Sequence, residues 1–411
     1  MMLYIVGFGL VGLLLIAGVF ALVFRQEIAR YQYQTSLFTG ADQQQHFIQQ
    51  ERYFPSRPMT AAKKKYTFPK GETLALPASF SHADEVFETD SFLTSTDTSA
   101  LIVLKNGSVM FEDYWLTGSV EEPWLTHSLS KSFISAAVGL AVRDGLISSV
   151  DDAISDYVPA LSGSGYDSVA IRDVLQMSSG IKWDETYSDP DSDINRLGRV
   201  MFWGSSFDDF VSSMVNERVP GTYNRYTGMD TQALTMLVAS VSGQSVAEFL
   251  QNELWHPLGA EHEAFWTTDK KGRELGLGGL NATARDLAKF GELYRLGGTW
   301  QGQQILPADW VKASVSADRD HLRPGESDLS AHTMGYGYQW WIPKADSGAF
   351  LGIGIYNQFI YVSPESGVVI VKLSCNRYYA SEDSPRAYRE METISLFEAI
   401  SEKLGETVSE L

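Results

Sequence analysis

Ser128 and Lys131 stand three residues apart in "THSLSKSFISAAVGLAVRDG", Thr126 to Gly145. On a helix that spacing puts hydroxyl and ammonium on one face, about one turn apart. A free serine hydroxyl is a poor nucleophile and needs a neighbouring base. Lys131 is close enough to accept or relay the proton. Burial, with no carboxylate nearby in sequence, favours the neutral amine and so the better base. Ser128 stands at the helix start, where free N–H groups and the positive dipole end favour a developing oxyanion. The bland alternative is an N-cap serine with a surface lysine.

Such a pair needs a rigid frame. "ALIVLKNGSVMFEDYWL" reads as two strands joined at Asn106-Gly107, a strong hairpin signal. Near the other end "YGYQWWIP" reads as a strand, and "YNQFIYVSPESGVVIVKLS" as a second hairpin turning at Pro364 to Gly367. The stretch between is mostly helical, with several segments ending in Gly. Strands at both ends with helices between predict an α+β fold: an antiparallel sheet built from distant segments, flanked by helices, with an inserted mostly helical region and a cleft between the two parts.

The 411 residues suffice for a sizeable core, and 44% hydrophobic with 20% charged residues is a globular composition. A net charge of -19 argues against nucleic acid as a partner. The single cysteine, Cys375 in "VVIVKLSCN", excludes an internal disulfide and reads as a buried core thiol. Seven scattered histidines suggest no metal site, and the Ser-Lys chemistry requires no cofactor. Leu3 to Phe24 is uncharged and long enough to cross a bilayer, so residues 1–24 are expected to be an N-terminal transmembrane anchor. Residues 25–83 read as a tether with a loosely docked N-terminal segment, and 84–411 as the catalytic domain. Arg25 and Arg30 follow the span, which alone would favour a cytoplasmic domain; Glu27 weakens that signal.

"SLSKSF" stands where the S-x-x-K motif of penicillin-binding proteins and serine β-lactamases stands, between a hairpin and a helical region. With "YVPALSGSGYDSVAIRDVLQMSSGIKWDETYSDPDSD", "VPGTYNRYTGMDTQAL", "GGLNATARDLAKFGELY" and "GIGIYNQFIYVSPESGVVIVKLS", the chain from about residue 84 resembles one branch of that superfamily. This branch contains 6-aminohexanoate-dimer hydrolase and related serine esterases and amidases. The resemblance implies a β-lactamase-like fold and a serine hydrolase acting on a small amide or ester. It also implies a domain on the periplasmic or outer side of the membrane.

Carried over residue by residue, the resemblance makes Tyr226, after the Pro220-Gly221 turn, the third catalytic group; Tyr223 fits that position less well. A phenol held near an ammonium ionises more readily, so Tyr226 and Lys131 are expected to share the proton, in an order left open. Gly228 departs from the Tyr-x-Asn form. "GIGIYNQ", Gly352 to Gln358, lacks the lysine or histidine of the superfamily's third motif, although its backbone can still supply an oxyanion hole from Ser128 and Ile355 N–H. Gly354 and Tyr356 on this run, and Trp183, Asp184 and Asp193 on the acidic loop "WDETYSDPDSD", are the expected substrate contacts. A carboxylate in that loop would receive a substrate ammonium. Two alternatives stay open: a DD-peptidase or β-lactamase, and a non-catalytic peptide receptor of the same fold.

Overall fold

The computed structural model describes residues 2–36, 43–186, 189–203, 206–344, 348–379, 381 and 384–409. Its centre is a seven-stranded antiparallel sheet. The strands are β1 (Thr98–Lys105), β2 (Ser108–Tyr114), β3 (Gly335–Tyr336), β4 (Trp341–Ile342), β5 (Phe350–Gly354), β6 (Gln358–Ser363) and β7 (Val368–Ser374), in the order β3-β4-β5-β6-β7-β1-β2. The N-terminal hairpin therefore pairs through β1 with the C-terminal strand β7, as strands at both ends of the domain require. Asn106 (φ +49°) and Gly107 (φ +75°) make its turn, and left-handed dihedrals at both central residues match the twist of the flanking strands. "YGYQWWIP" is a tight hairpin rather than one strand. Its turn holds Gln339 at φ +62°, and a Cβ on Gly337 would lie 2.1 Å from the Ser314 carbonyl oxygen.

Alternation divides the sheet between two cores. Ile102, Leu104, Ile360, Val362, Val369 and Val371 face the helical side, where Leu287, Phe290 and Leu293 of the helix Ala284–Arg295 pack on them. Leu101, Val103, Phe359, Tyr361 and Ile370 face the opposite way, onto Ile394, Phe397 and Ile400 of the C-terminal helix Glu390–Ser409. Both faces are covered, so β7 reads as an uninterrupted apolar run broken only by Lys372. Cys375 lies just past it, buried, its thiol pushed up to about 12 by burial and by Asp97.

The N-terminal region departs from the expected tether. Residues Arg25–Ser36 are helical, and Ser56–Met59 pairs antiparallel with Ala264–Thr267, which joins Leu280–Ala282 and Trp124–Leu125 in a second, four-stranded sheet. Phe47, Met59 and Phe68 sit in the main core. A polar average conceals these few anchoring aromatic and apolar residues. Ahead of them Met2–Val23 is helical, with Leu13, Leu14, Leu15, Ile16, Phe20 and Leu22 exposed. Among the described residues no single helix is long and apolar enough to cross a membrane. Gly12–Val23 and Arg25–Tyr33 reach that length only as a pair, bent by 73°.

Candidate active site

The position of Ser128 is set by the strand before it. Trp124–Leu125 pairs with Leu280–Ala282, and Thr126 bonds the Leu280 carbonyl through both its N–H and its hydroxyl (both 2.9 Å). A single 3₁₀ turn, His127–Leu129, then carries Ser128 into the helix Ser130–Arg143. His127 is in the left-handed region at φ +48°, an uncommon conformation for a non-glycine residue, directly before the serine.

Lys131 Nζ donates to Ser128 Oγ at 2.9 Å and to the Leu277 carbonyl at 2.6 Å. The side chain is 2% exposed, which is why its pKa falls to about 8; the Glu185 carboxylate holds back part of that fall. The loop bearing Leu277 is pinned on both sides. Ser130 Oγ donates to the Gly276 carbonyl at 2.8 Å, and Gln232, on the helix Gly228–Ser242, bonds the Glu274 carbonyl and Gly276 N–H. Ser130 is thereby a structural polar neighbour of the pair.

Tyr226 precedes the helix Gly228–Ser242. Its ring lies 4.8 Å from Lys131 Nζ and stacks on Trp341 at 5.5 Å, and Ser128 is the neighbour that favours ionisation of its hydroxyl. Its backbone N–H reaches His332 Nε2 at 3.3 Å. Tyr223 instead lies under the Arg218 guanidinium, 4.2 Å away. The expectation of a readily ionised phenol is reversed. Burial and the Glu185 carboxylate hold Tyr226 well above its usual pKa, and Ser128 only partly opposes them.

Glu185 is the residue that reading the sequence missed. Its Oε2 accepts from Trp183 Nε1 at 2.7 Å and from Gly228 N–H at 3.1 Å, at the positive end of a 15-residue helix. A Cβ on Gly228 would lie 3.4 Å from that same oxygen and 3.6 Å from the Trp183 ring. A longer side chain there would have to displace both. Glycine at 228 and glutamate at 185 form one arrangement, joined across 43 residues, with no local signal beyond the departure from Tyr-x-Asn.

Ser128 and Ile355 line two adjoining cavities. The larger, about 640 Å³, also has Trp183, Asp184, Glu185 and Tyr226 in its wall. The smaller, about 280 Å³, is mainly apolar. Ile355 is the first residue after β5, in the turn to β6. The other expected contacts fall outside these walls. Gly354 is buried and faces the nucleophile's own backbone, where a Cβ would lie 2.4 Å from the Thr126 oxygen. Gly352 likewise faces Leu129 and Ser132. Tyr356 is buried behind the site against Phe47, His127 and Tyr379. Asp193 accepts the Asp184 N–H at 3.0 Å and pairs with Arg196 at 2.7 Å, so it braces the loop. Asp184 is exposed at the rim and accepts the Thr186 N–H at 2.9 Å. Among the described residues no group of three metal-ligating side chains is found.

An antiparallel sheet packed against a helix that opens on serine and buried lysine defines the β-lactamase-like class of serine hydrolases. The Beta-lactamase family model matches residues 90–394, and the chain belongs to that family. It is 31% identical over 290 residues to the 6-aminohexanoate-dimer hydrolase of Paenarthrobacter ureafaciens, covering 69% of this chain and 74% of that protein. A solved Bacillus anthracis structure, provisionally named as a 6-aminohexanoate-dimer hydrolase, shares the fold with a TM-score of 0.80 at 21% identity. That match covers 90% of this chain and 96% of the other. A family VIII carboxylesterase matches at 0.56 and 16% identity, over 76% of this chain and 95% of that one.

Proposed function

We propose that this serine hydrolase cleaves amide or ester bonds through an acyl-enzyme, with Ser128 as nucleophile, Lys131 as first base and Tyr226 as the acid that protonates the leaving group. The hydrogen bond between Lys131 Nζ and Ser128 Oγ, made by a fully buried lysine, carries this reading. A neutral amine keeps its hydrogen bond to Leu277 while its lone pair faces the serine proton. Ser128 Oγ attacks the carbonyl carbon as its proton passes to Lys131, and Ser128 and Ile355 N–H receive the oxyanion. Collapse breaks the bond to the leaving group, which takes the Tyr226 proton; the Lys131 ammonium restores it. Water then attacks the acyl-enzyme by the same route in reverse.

The two pKa shifts support this order. The amine is near neutrality, whereas the phenol stays protonated and suits the acid's role. Glu185 supports both states, stabilising the ammonium that forms and discouraging a phenolate. The aminohexanoate-dimer relative supports an amidase over a β-lactamase. The absent Lys-Thr-Gly side chain and Gly228 weigh the same way.

The domain is proposed to be tethered at the membrane through residues 1–24 and to work on the periplasmic or outer side. The exposed apolar side chains from Leu13 to Leu22 support the tether. Turnover of p-nitrophenyl esters, amino-acid amides and nitrocefin, beside Ser128→Ala, tests the chemistry. Ester or amide release that disappears in Ser128→Ala is expected. Turnover that survives the substitution would reject Ser128, and nitrocefin as the preferred substrate would favour a β-lactamase.

A further inference from the structure

The proposed acyl-enzyme must direct its acyl group into one of the two cavities that meet at Ser128. Tyr226 lines only the larger cavity, and the leaving group has to reach that phenol to be protonated. The leaving group therefore occupies the larger cavity, and the acyl chain is left with the smaller one. Phe54, Leu125, Ile194, Leu197, Met201 and Leu275 are the main apolar side chains of its wall, and no Asp, Glu, Lys or Arg is in that wall among the described residues. Two of the polar side chains there are engaged elsewhere. Gln50 Nε2 donates to the His46 carbonyl at 3.0 Å, and Asn195 Nδ2 donates to the Asp189 carbonyl at 2.7 Å. His127 is held neutral by burial and by Lys131.

We infer that this chain selects a neutral aliphatic acyl group of about six to eight carbons, seated between Ser128 and the N-terminal segment at Gln50 and Phe54. This rests on the hydrolase reading above and specifies the acyl half of its substrate. The length follows from volume. A methylene needs about the space of one water, roughly 30 Å³, so about 280 Å³ holds such a chain with the imperfect filling of a real pocket. Neutrality follows from the wall. An ω-ammonium group seated here would find no carboxylate partner in the wall. The carboxylate expected to receive an ammonium is on the leaving-group side instead, at Glu185 and Asp184.

The experiment measures kcat/KM of the full chain for p-nitrophenyl acetate, butyrate, hexanoate, octanoate and dodecanoate, and for the 6-aminohexanoyl ester. The expected series rises about fourfold per methylene as far as the pocket extends, and falls at least tenfold from its maximum at dodecanoate. The 6-aminohexanoyl ester should be at least tenfold poorer than the hexanoyl ester. Phe54→Ala should move the optimum to longer chains and Ile194→Trp to shorter ones. The unmodified protein decides the matter if either variant misfolds. Ser128-dependent turnover that is flat in chain length, or that favours the ammonium ester, would overturn the acyl assignment alone. Absence of Ser128-dependent release from every ester would overturn the hydrolase reading and the acyl assignment with it.

Discussion

At the scale of single residues, the proposed mechanism divides two proton tasks between two buried groups. Lys131, with its pKa lowered to about 8, must be neutral to take the serine proton, so kcat/KM should climb with pH through about 8. Tyr226 titrates well above 10, so a plateau should follow. The groups facing Lys131 are Ser128, Tyr226, His127 and Glu185. Glu185→Gln removes the one negative charge among them, favours the neutral amine and should shift the rising limb to lower pH; an unmoved limb would remove Glu185 from the charge balance. Tyr226→Phe should slow amide hydrolysis by about 10²–10⁴ and affect p-nitrophenyl esters far less, because p-nitrophenolate departs without a proton. Parallel kinetics on both substrates read this out, and equal losses would remove Tyr226 from leaving-group protonation. The structure brings Ser128, Lys131 and Tyr226 together; the first two were legible as sequence neighbours, and Tyr226 only through the family resemblance. Glu185 was not, since its meaning arises only when Gly228 and Trp183 come to meet it.

At the scale of elements, two glycines of β5 allow the sheet to lie against the nucleophile's turn. Gly354→Ala would set a methyl group 2.4 Å from the Thr126 oxygen. Backbone on both sides leaves little room to yield, so a loss of about 1–3 kcal/mol is expected in urea denaturation, with slower Ser128 labelling as the turn shifts. Unchanged stability would show that β5 and the turn are not coupled. Sequence reading marked Gly354 as a substrate contact, whereas it faces the Thr126 carbonyl. Periodicity reports that a strand lacks side chains at two positions; what approaches there is a tertiary fact. The hairpins at Asn106-Gly107 and Pro364 to Gly367 were legible because turn chemistry is local. The shortness of β3 and β4 depends on the packing of Gly337 against Ser314 and is invisible in the sequence.

At the scale of the whole molecule, the N-terminal region does more than connect. Residues 43–59 supply core side chains, an edge strand to the second sheet and a wall of the smaller cavity. Deleting 1–24 should release the protein from membranes and leave its melting temperature and Ser128-dependent turnover intact. Deleting 1–60 should lower the melting temperature by about 10 °C or more, since burying Phe47, Phe54 and Met59 contributes several kcal/mol. Fractionation and thermal melts of the two truncations separate tether from structure. Equal behaviour would return the whole region to a tether. The sheet-plus-helices class was legible because its strands stand at both ends of the domain. A loosely docked segment was expected within 25–83; that 43–59 would enter the core and the second sheet was hidden because few residues carry it.

The most direct test of the central claim is the intact mass of the protein after reaction with a fluorophosphonate, followed by peptide mapping, at pH values on both sides of 8. The expected result is one adduct per chain, on Ser128, formed faster at the higher pH and absent in Ser128→Ala. An adduct on another residue, or labelling that persists in Ser128→Ala, would contradict the assignment of Ser128 and Lys131 as nucleophile and base.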